Sequence, residues 1–158
     1  MKGRKPFDRK LYAKYDELAR KYSRSELIPL GYVVKDNPRK TGVDLIVEKD
    51  DEIIFYVECE IKKALEGGKF PYDEVNLPER KKKYVGLKYP TLFMIFDPLG
   101  EHLICFWDKW IDKCNLEEVH NRYMRQGEYF FKIPLKWTDK NAISALKRLW
   151  KRNVDTEV

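Results

Sequence analysis

Residues 53 to 62 read Ile-Ile-Phe-Tyr-Val-Glu-Cys-Glu-Ile-Lys. A strand has a period of two, so Glu58, Glu60 and Lys62 share one face with Tyr56 before them, while Phe55, Val57, Cys59 and Ile61 take the other. Upstream, Val43-Asp44-Leu45-Ile46-Val47 reads as a second apolar strand, and pairing the two would bring Asp44 beside Glu58 and Glu60. One Asp with one or two Glu offers hard oxygen donors suited to Mg²⁺ or Mn²⁺. The plainer origin of such a pattern is a half-exposed sheet whose Glu and Lys pairs face water. The neighbouring elements decide between the two.

Those elements follow from periodicity. Phe7, Leu11, Tyr12, Tyr15, Leu18, Ala19 and Tyr22 form one stripe, which predicts an amphipathic helix over 7–22. Residues 28–34 predict a strand with Pro29 near its start, and 35–40 a polar loop. Strands over 43–49 and 52–62 follow, joined at Asp50-Asp51 in a hairpin. Pro78 suits the first turn of a helix running to about Leu87. Thr91 to Phe96 has the continuous apolar character of a strand buried on both faces, and His102 to Trp107 predicts its neighbour. A short helix over 116–125, a strand over 129–135 and a last helix complete the chain. That helix is capped by Thr138 or Asp139, with Ile143, Leu146, Leu149 and Trp150 as its stripe. The fold class expected is α/β, a mixed central sheet flanked by helices.

The 158 residues fit a single domain over 1–158, with a core over about 7–107 and a C-terminal strand and helix appendage over 108–158. A hydrophobic content of 43% argues against disorder, and no apolar run is long enough for a membrane span or signal peptide, so a cytoplasmic location is expected. Cys59, Cys105 and Cys114 lack zinc-finger spacing with His102 and His120, and all five read as structural. The net charge of +6 suits a polyanionic partner. Basic residues cluster at 2–5, at Lys62 and Lys63, at Arg80 to Lys83 and at 147–152, and two of these clusters flank the acidic strand.

The helix, then Gly42-Val43-Asp44-Leu45-Ile46-Val47, then Tyr56-Val57-Glu58-Cys59-Glu60-Ile61-Lys62, resembles the restriction-endonuclease-like superfamily of PD-(D/E)XK nucleases. The resemblance covers roughly residues 7–107 and implies an αβββαβ core. It implies a metal-dependent deoxyribonuclease in which Asp44 with Glu58 or Glu60 holds Mg²⁺ or Mn²⁺ and Lys62 assists the attacking water. Two registers fit. Either Glu60-Ile61-Lys62 is the acid-x-lysine element with Glu58 as an extra acid, or Glu58 is the ligand and Glu60 takes the lysine's place. Gly42-Val43 stands where the family's proline often precedes the Asp.

Glu17, with Glu26 as its competitor, matches the additional acid of many members. Arg80-Lys81-Lys82-Lys83-Tyr84 resembles the Gln-x-x-x-Tyr element of the RecB-like branch, with Arg for Gln. With Lys63 these residues would grip DNA, whether duplex, single-stranded or branched, and a homodimer is a common family arrangement. The rival expectations are a non-catalytic nucleic-acid-binding protein on the same fold, and a protein-interaction domain contacting partners through Trp107 and Trp110.

Overall fold

The computed structural model describes residues 8–121 and 124–149. Phe7, Trp150 and the basic residues of 2–5 and 151–152 lie outside them.

Helix α1 runs from Arg9 to Leu27, a turn longer than its apolar stripe predicts. Asp8 caps it, accepting hydrogen bonds from the N–H groups of Lys10 and Leu11 at 3.1 Å each. The helix tightens into a 3-10 turn at Ile28–Leu30, where Pro29 has no donor to lose. Gly31 then ends it at φ 97°, returning its N–H to the Ile28 carbonyl. Residues 28–30 are therefore not strand, and β1 begins at Val33 and runs to Asp36. Ala19, Ser23 and Leu27, one helical turn apart, are the buried face. Leu11 and Tyr12 leave the sheet behind and are 44% and 60% exposed, so the first half of the stripe does not pack as core.

β2 (Leu45–Lys49) and β3 (Glu52–Ile61) form the hairpin. Its turn places both Asp50 and Asp51 at positive φ, the geometry that matches the twist of paired strands. The main sheet has five strands in the order β1-β2-β3-β5-β6, with β5 (Thr91–Phe96) parallel to β3 and every other pair antiparallel. β6 spans Leu103–Trp107.

The crossover from β3 to β5 departs from expectation. A 3-10 segment at Lys63–Gly68 leads to β4 (Glu74–Pro78), and a second 3-10 run, Glu79–Tyr84, stands where an α-helix over 78–87 was predicted. The reason lies in Val75 and Leu77. Both are buried with period two, which commits the segment up to Pro78 to a strand, and the basic run after it has only Tyr84 to bury. β4 opens a second, three-stranded sheet in the order β4-β8-β7. β7 (Leu116–Asn121) and β8 (Met124–Pro134) form its antiparallel hairpin, so the helix predicted over 116–125 is absent and the late strand starts earlier than 129.

The main sheet is thus covered on both faces. Leu92, Met94 and Phe96 of β5 face a core shared with α1, while Phe93 and Ile95 face Val75, Leu77, Phe131 and Ile133 of the small sheet. Phe93 and Phe106 stack there with ring centres 5.3 Å apart. The last helix, α2, is only Ala142–Leu146, capped by Asn141 rather than by Thr138 or Asp139. Ala142 and Ala145 are its buried residues and Ile143 is 55% exposed, because Trp107 comes close enough to donate its indole N–H to the Ala145 carbonyl at 2.7 Å. Trp107 is itself 1% exposed and belongs to the core, so it offers no surface for a protein contact. The chain is mixed α/β with a five-stranded mixed sheet, a second sheet and helices. No helix among the described residues is long and apolar enough to cross a membrane.

Candidate active-site cleft

An open cleft of about 1340 Å³ lies between the first half of α1, the segment 36–44, the end of β3 and the 3-10 run after β4. The segment 36–44 is shaped by Asn37. Its side-chain amide donates to the Val43 carbonyl and its side-chain oxygen accepts from the Arg39 N–H. A Cβ on Gly42 would lie 2.5 Å from the Asn37 amide nitrogen, so glycine is what lets the loop fold this tightly.

Asp44 sits one residue before β2, in a bend rather than in the strand. The β2–β3 ladder ends at the Leu45–Val57 pair, and side chains carry the pairing one step further. Asp44 Oδ2 accepts the Cys59 N–H at 3.0 Å, and the Asp44 N–H donates to Glu58 Oε1 at 3.2 Å. These two bonds hold Asp44 and Glu58, fourteen residues apart, side by side at the floor of the cleft.

Each carboxylate has a cation. Arg20 of α1 brings Nη2 to 3.4 Å from Asp44 Oδ1 and donates through Nη1 to the Asp44 carbonyl at 3.3 Å. The same guanidinium also pairs with Asp16 and Asp36, so one side chain ties α1 to both ends of the 36–44 segment. Lys81 of the 3-10 run forms an ion pair with Glu58 Oε2. Glu58 is 6% exposed, and burial, with Asp44 next to it, pushes its carboxyl up to about 8 despite the opposing pull of Lys81. Burial pulls the Lys81 ammonium down, but the Glu58 carboxylate more than offsets this and holds it above its ordinary value. On the face of β3 that packs against α1, burial, with Asp44 beside it, raises the Cys59 thiol well above its usual range, leaving it inert.

Asp44, Glu58 and Glu60 therefore meet at the cleft, with Glu58 at the floor and half-buried Glu60 on the wall. Lys62 does not join them. It lies past the end of β3 and donates Nζ to the Asn76 carbonyl of β4 at 3.3 Å, outside the cleft lining. Of the expected phosphate-binding residues, Arg80, Lys81, Lys83 and Tyr84 line the cleft, while exposed Lys63 and Lys82 do not. Tyr84 is buried, with the Lys83 ammonium 5.1 Å from its ring centre. Glu17 is exposed and Glu26 half-buried, and neither reaches the cleft; Asp16, their neighbour on α1, does. Comparison with protein-family models, curated proteins and solved structures finds no match for the chain.

Arg20 and the partnership of Lys81 with Glu58 are the parts of the site that sequence reasoning missed. Asp16, Arg20 and Arg24 fall at helical i, i+4 spacing, which marks an ion-paired face of α1. Nothing in the basic run 80–83 singles out Lys81, since its partner is set by where β4 ends.

Proposed function

We propose that the chain is a metal-dependent deoxyribonuclease built on a restriction-endonuclease-like core. The observation that carries this is the meeting of Asp44 and Glu58, joined by the Asp44 N–H on Glu58 Oε1, at the floor of an open cleft with Glu60 on its wall. Burial and the nearby Asp44 both raise the Glu58 carboxyl, a cost that a cation shared by the two acids would offset. The element order supports the same core in its sheet, although 3-10 turns and β4 stand where the family's crossover helix would be. A helix precedes three antiparallel strands, and a crossover leads to a fourth strand parallel to the third.

The donor set fits Mg²⁺ or Mn²⁺: Asp44, Glu58 and Glu60 supply carboxylate oxygens only. Such an ion would lower the pKa of a bound water and stabilise charge on a phosphate. Of the two registers, the contacts favour Glu58 as the partner of Asp44, with Glu60 two residues on in the lysine's place. Lys81 then supplies the ammonium from the crossover, orienting the attacking water beside the carboxylates. Arg39, Lys40, Arg80 and Lys83 line the cleft without an ion pair among the described residues and are free to hold the DNA backbone.

Purified protein given Mg²⁺ or Mn²⁺ should cleave linear duplex or single-stranded DNA. Asp44→Asn and Glu58→Gln should each abolish that cleavage; undiminished cleavage by both variants, or none by the wild type, rejects the assignment. One observation favours a second reading. Arg20 already pairs with Asp44 and Lys81 with Glu58, as they would in a non-catalytic nucleic-acid-binding protein whose acids hold no metal. That reading expects salt-sensitive DNA binding and no calorimetric Mg²⁺ or Mn²⁺ signal at the cleft.

A further inference from the structure

A second set of ligand-type side chains lies where β5 turns into β6, and none of its members lines the cleft. Asp97 follows the last residue of β5, and Glu101 and His102 lead into β6. The turn is closed by the Gly100 N–H donating to the Asp97 carbonyl at 3.0 Å and the Asp97 N–H to the His102 carbonyl at 3.3 Å. One ligand atom from each of Asp97, Glu101 and His102 lies within 4.8 Å of the other two.

The Asp97 side chain is 1% exposed. Its Oδ1 accepts the His102 N–H at 2.8 Å, which completes the turn. Its Oδ2 is equally buried and has no hydrogen-bond partner among the described residues. A buried carboxylate oxygen without a donor is a costly arrangement that folded proteins rarely keep. The side chains grouped with it do not meet the need as they stand, because neither places a donor within hydrogen-bonding distance of Oδ2.

We propose that Asp97, Glu101 and His102 form a binding site for a zinc-class divalent cation. An imidazole with two carboxylates suits Zn²⁺ better than Mg²⁺, and three protein ligands leave a fourth position for water. Ligands at about 2.1 Å from a tetrahedral zinc lie roughly 3.4 Å apart, which atoms already within 4.8 Å of one another reach by small side-chain movements. Glu101 is exposed and has that freedom. The His102 ring is already set in place, since a Cβ on Gly68 would lie 2.6 Å from its Cε1. The ion would brace the turn that also receives α1, where Tyr22 donates its hydroxyl to the Pro98 carbonyl at 2.9 Å. Its binding is independent of chemistry in the cleft, whose lining includes none of the three residues.

The test uses the full chain, stripped of metal with a chelator and then titrated with Co²⁺ in excess Mg²⁺, followed by visible absorption and calorimetry. One equivalent of Co²⁺ should bind to the wild type and to Asp44→Asn, and that equivalent should be lost in both Glu101→Ala and His102→Ala. Zn²⁺ should also raise the unfolding temperature of the wild type and leave that of Glu101→Ala unchanged. Glu101 is exposed, so its replacement tests the site even where His102→Ala disturbs packing. Absence of Co²⁺ binding by the wild type, or binding that survives both replacements, overturns the proposal and leaves a buried water as the partner of Oδ2.

Discussion

Lys81 reaches from the 3-10 run after β4 to Oε2 of Glu58, so the ammonium at the cleft floor comes from the crossover and not from the strand that carries the acids. The lysine two residues after Glu60 is turned to the small sheet instead, bonded to the Asn76 carbonyl. Under the proposed function this exchange fixes which lysine matters. Lys81→Met keeps the apolar stem and removes the charge, and it should lower the cleavage rate by about 100-fold or more. Lys62→Met should stay within a few-fold of wild type. Single-turnover kinetics at saturating Mg²⁺ would decide it, and the reverse order of effects would remove Lys81 from the site.

A second expectation concerns stability without metal. The Glu58 carboxyl, raised from an ordinary 4.5 to about 8, prefers to be protonated in the folded chain. Its contribution is complete below about pH 4.5 and is lost as pH rises through 8, at a slope of at most about 1.4 kcal/mol per pH unit. Glu58→Gln imitates the protonated form. In urea unfolding with chelator present it should match the wild type near pH 5 and exceed it at pH 8.5. A wild type whose midpoint does not fall across that window relative to the variant would show that Glu58 is ionised throughout.

Gly100 gives a third. It sits at φ +71°, and a Cβ there would lie 2.6 Å from the Tyr22 ring. Gly100→Ala combines a disfavoured backbone conformation with a clash against a ring fixed by its hydroxyl, and it should cost about 1–3 kcal/mol. Gly86→Ala is the control. Gly86 is also at positive φ, but a Cβ there meets nothing within 4 Å, so its cost should be the smaller of the two. Equal losses in thermal melts would mean that the Tyr22 contact contributes nothing.

The acidic strand was legible because its alternation is unbroken from Phe55 to Ile61: the odd positions pack into the core shared with α1 and the even ones take the opposite face. The neighbourhood of Asp44 and Glu58 followed from pairing two adjacent strands, which is a local inference. The crossover was not legible. Pro78 reads equally well as the first residue of a helix and as the end of a strand, and Val75 and Leu77 acquire their meaning only from Phe131 and Ile133 across the small sheet. The same distance hid β7, where Leu116 and Val119 stand three residues apart as on a helix but pair with Phe131 and Glu128 of β8. Interactions set by distant partners, Lys81 with Glu58 and Arg20 with Asp44, leave no mark in the neighbouring sequence.

The insertion of β4 between β3 and β5 bears on how the chain acquires its structure. The parallel pair closes over a long loop, and the strand inside that loop must then wait for β8, near the other end of the described chain, to complete its own sheet. Contacts so distant in sequence carry a loop-closure cost before they return any energy, which predicts slow folding. During synthesis from the N-terminus, Phe93, Ile95, Ile104 and Phe106 are made before the strand that covers them. Until β8 leaves the ribosome, the nascent protein presents an uncovered apolar sheet face, and that interval is when it is most exposed to aggregation.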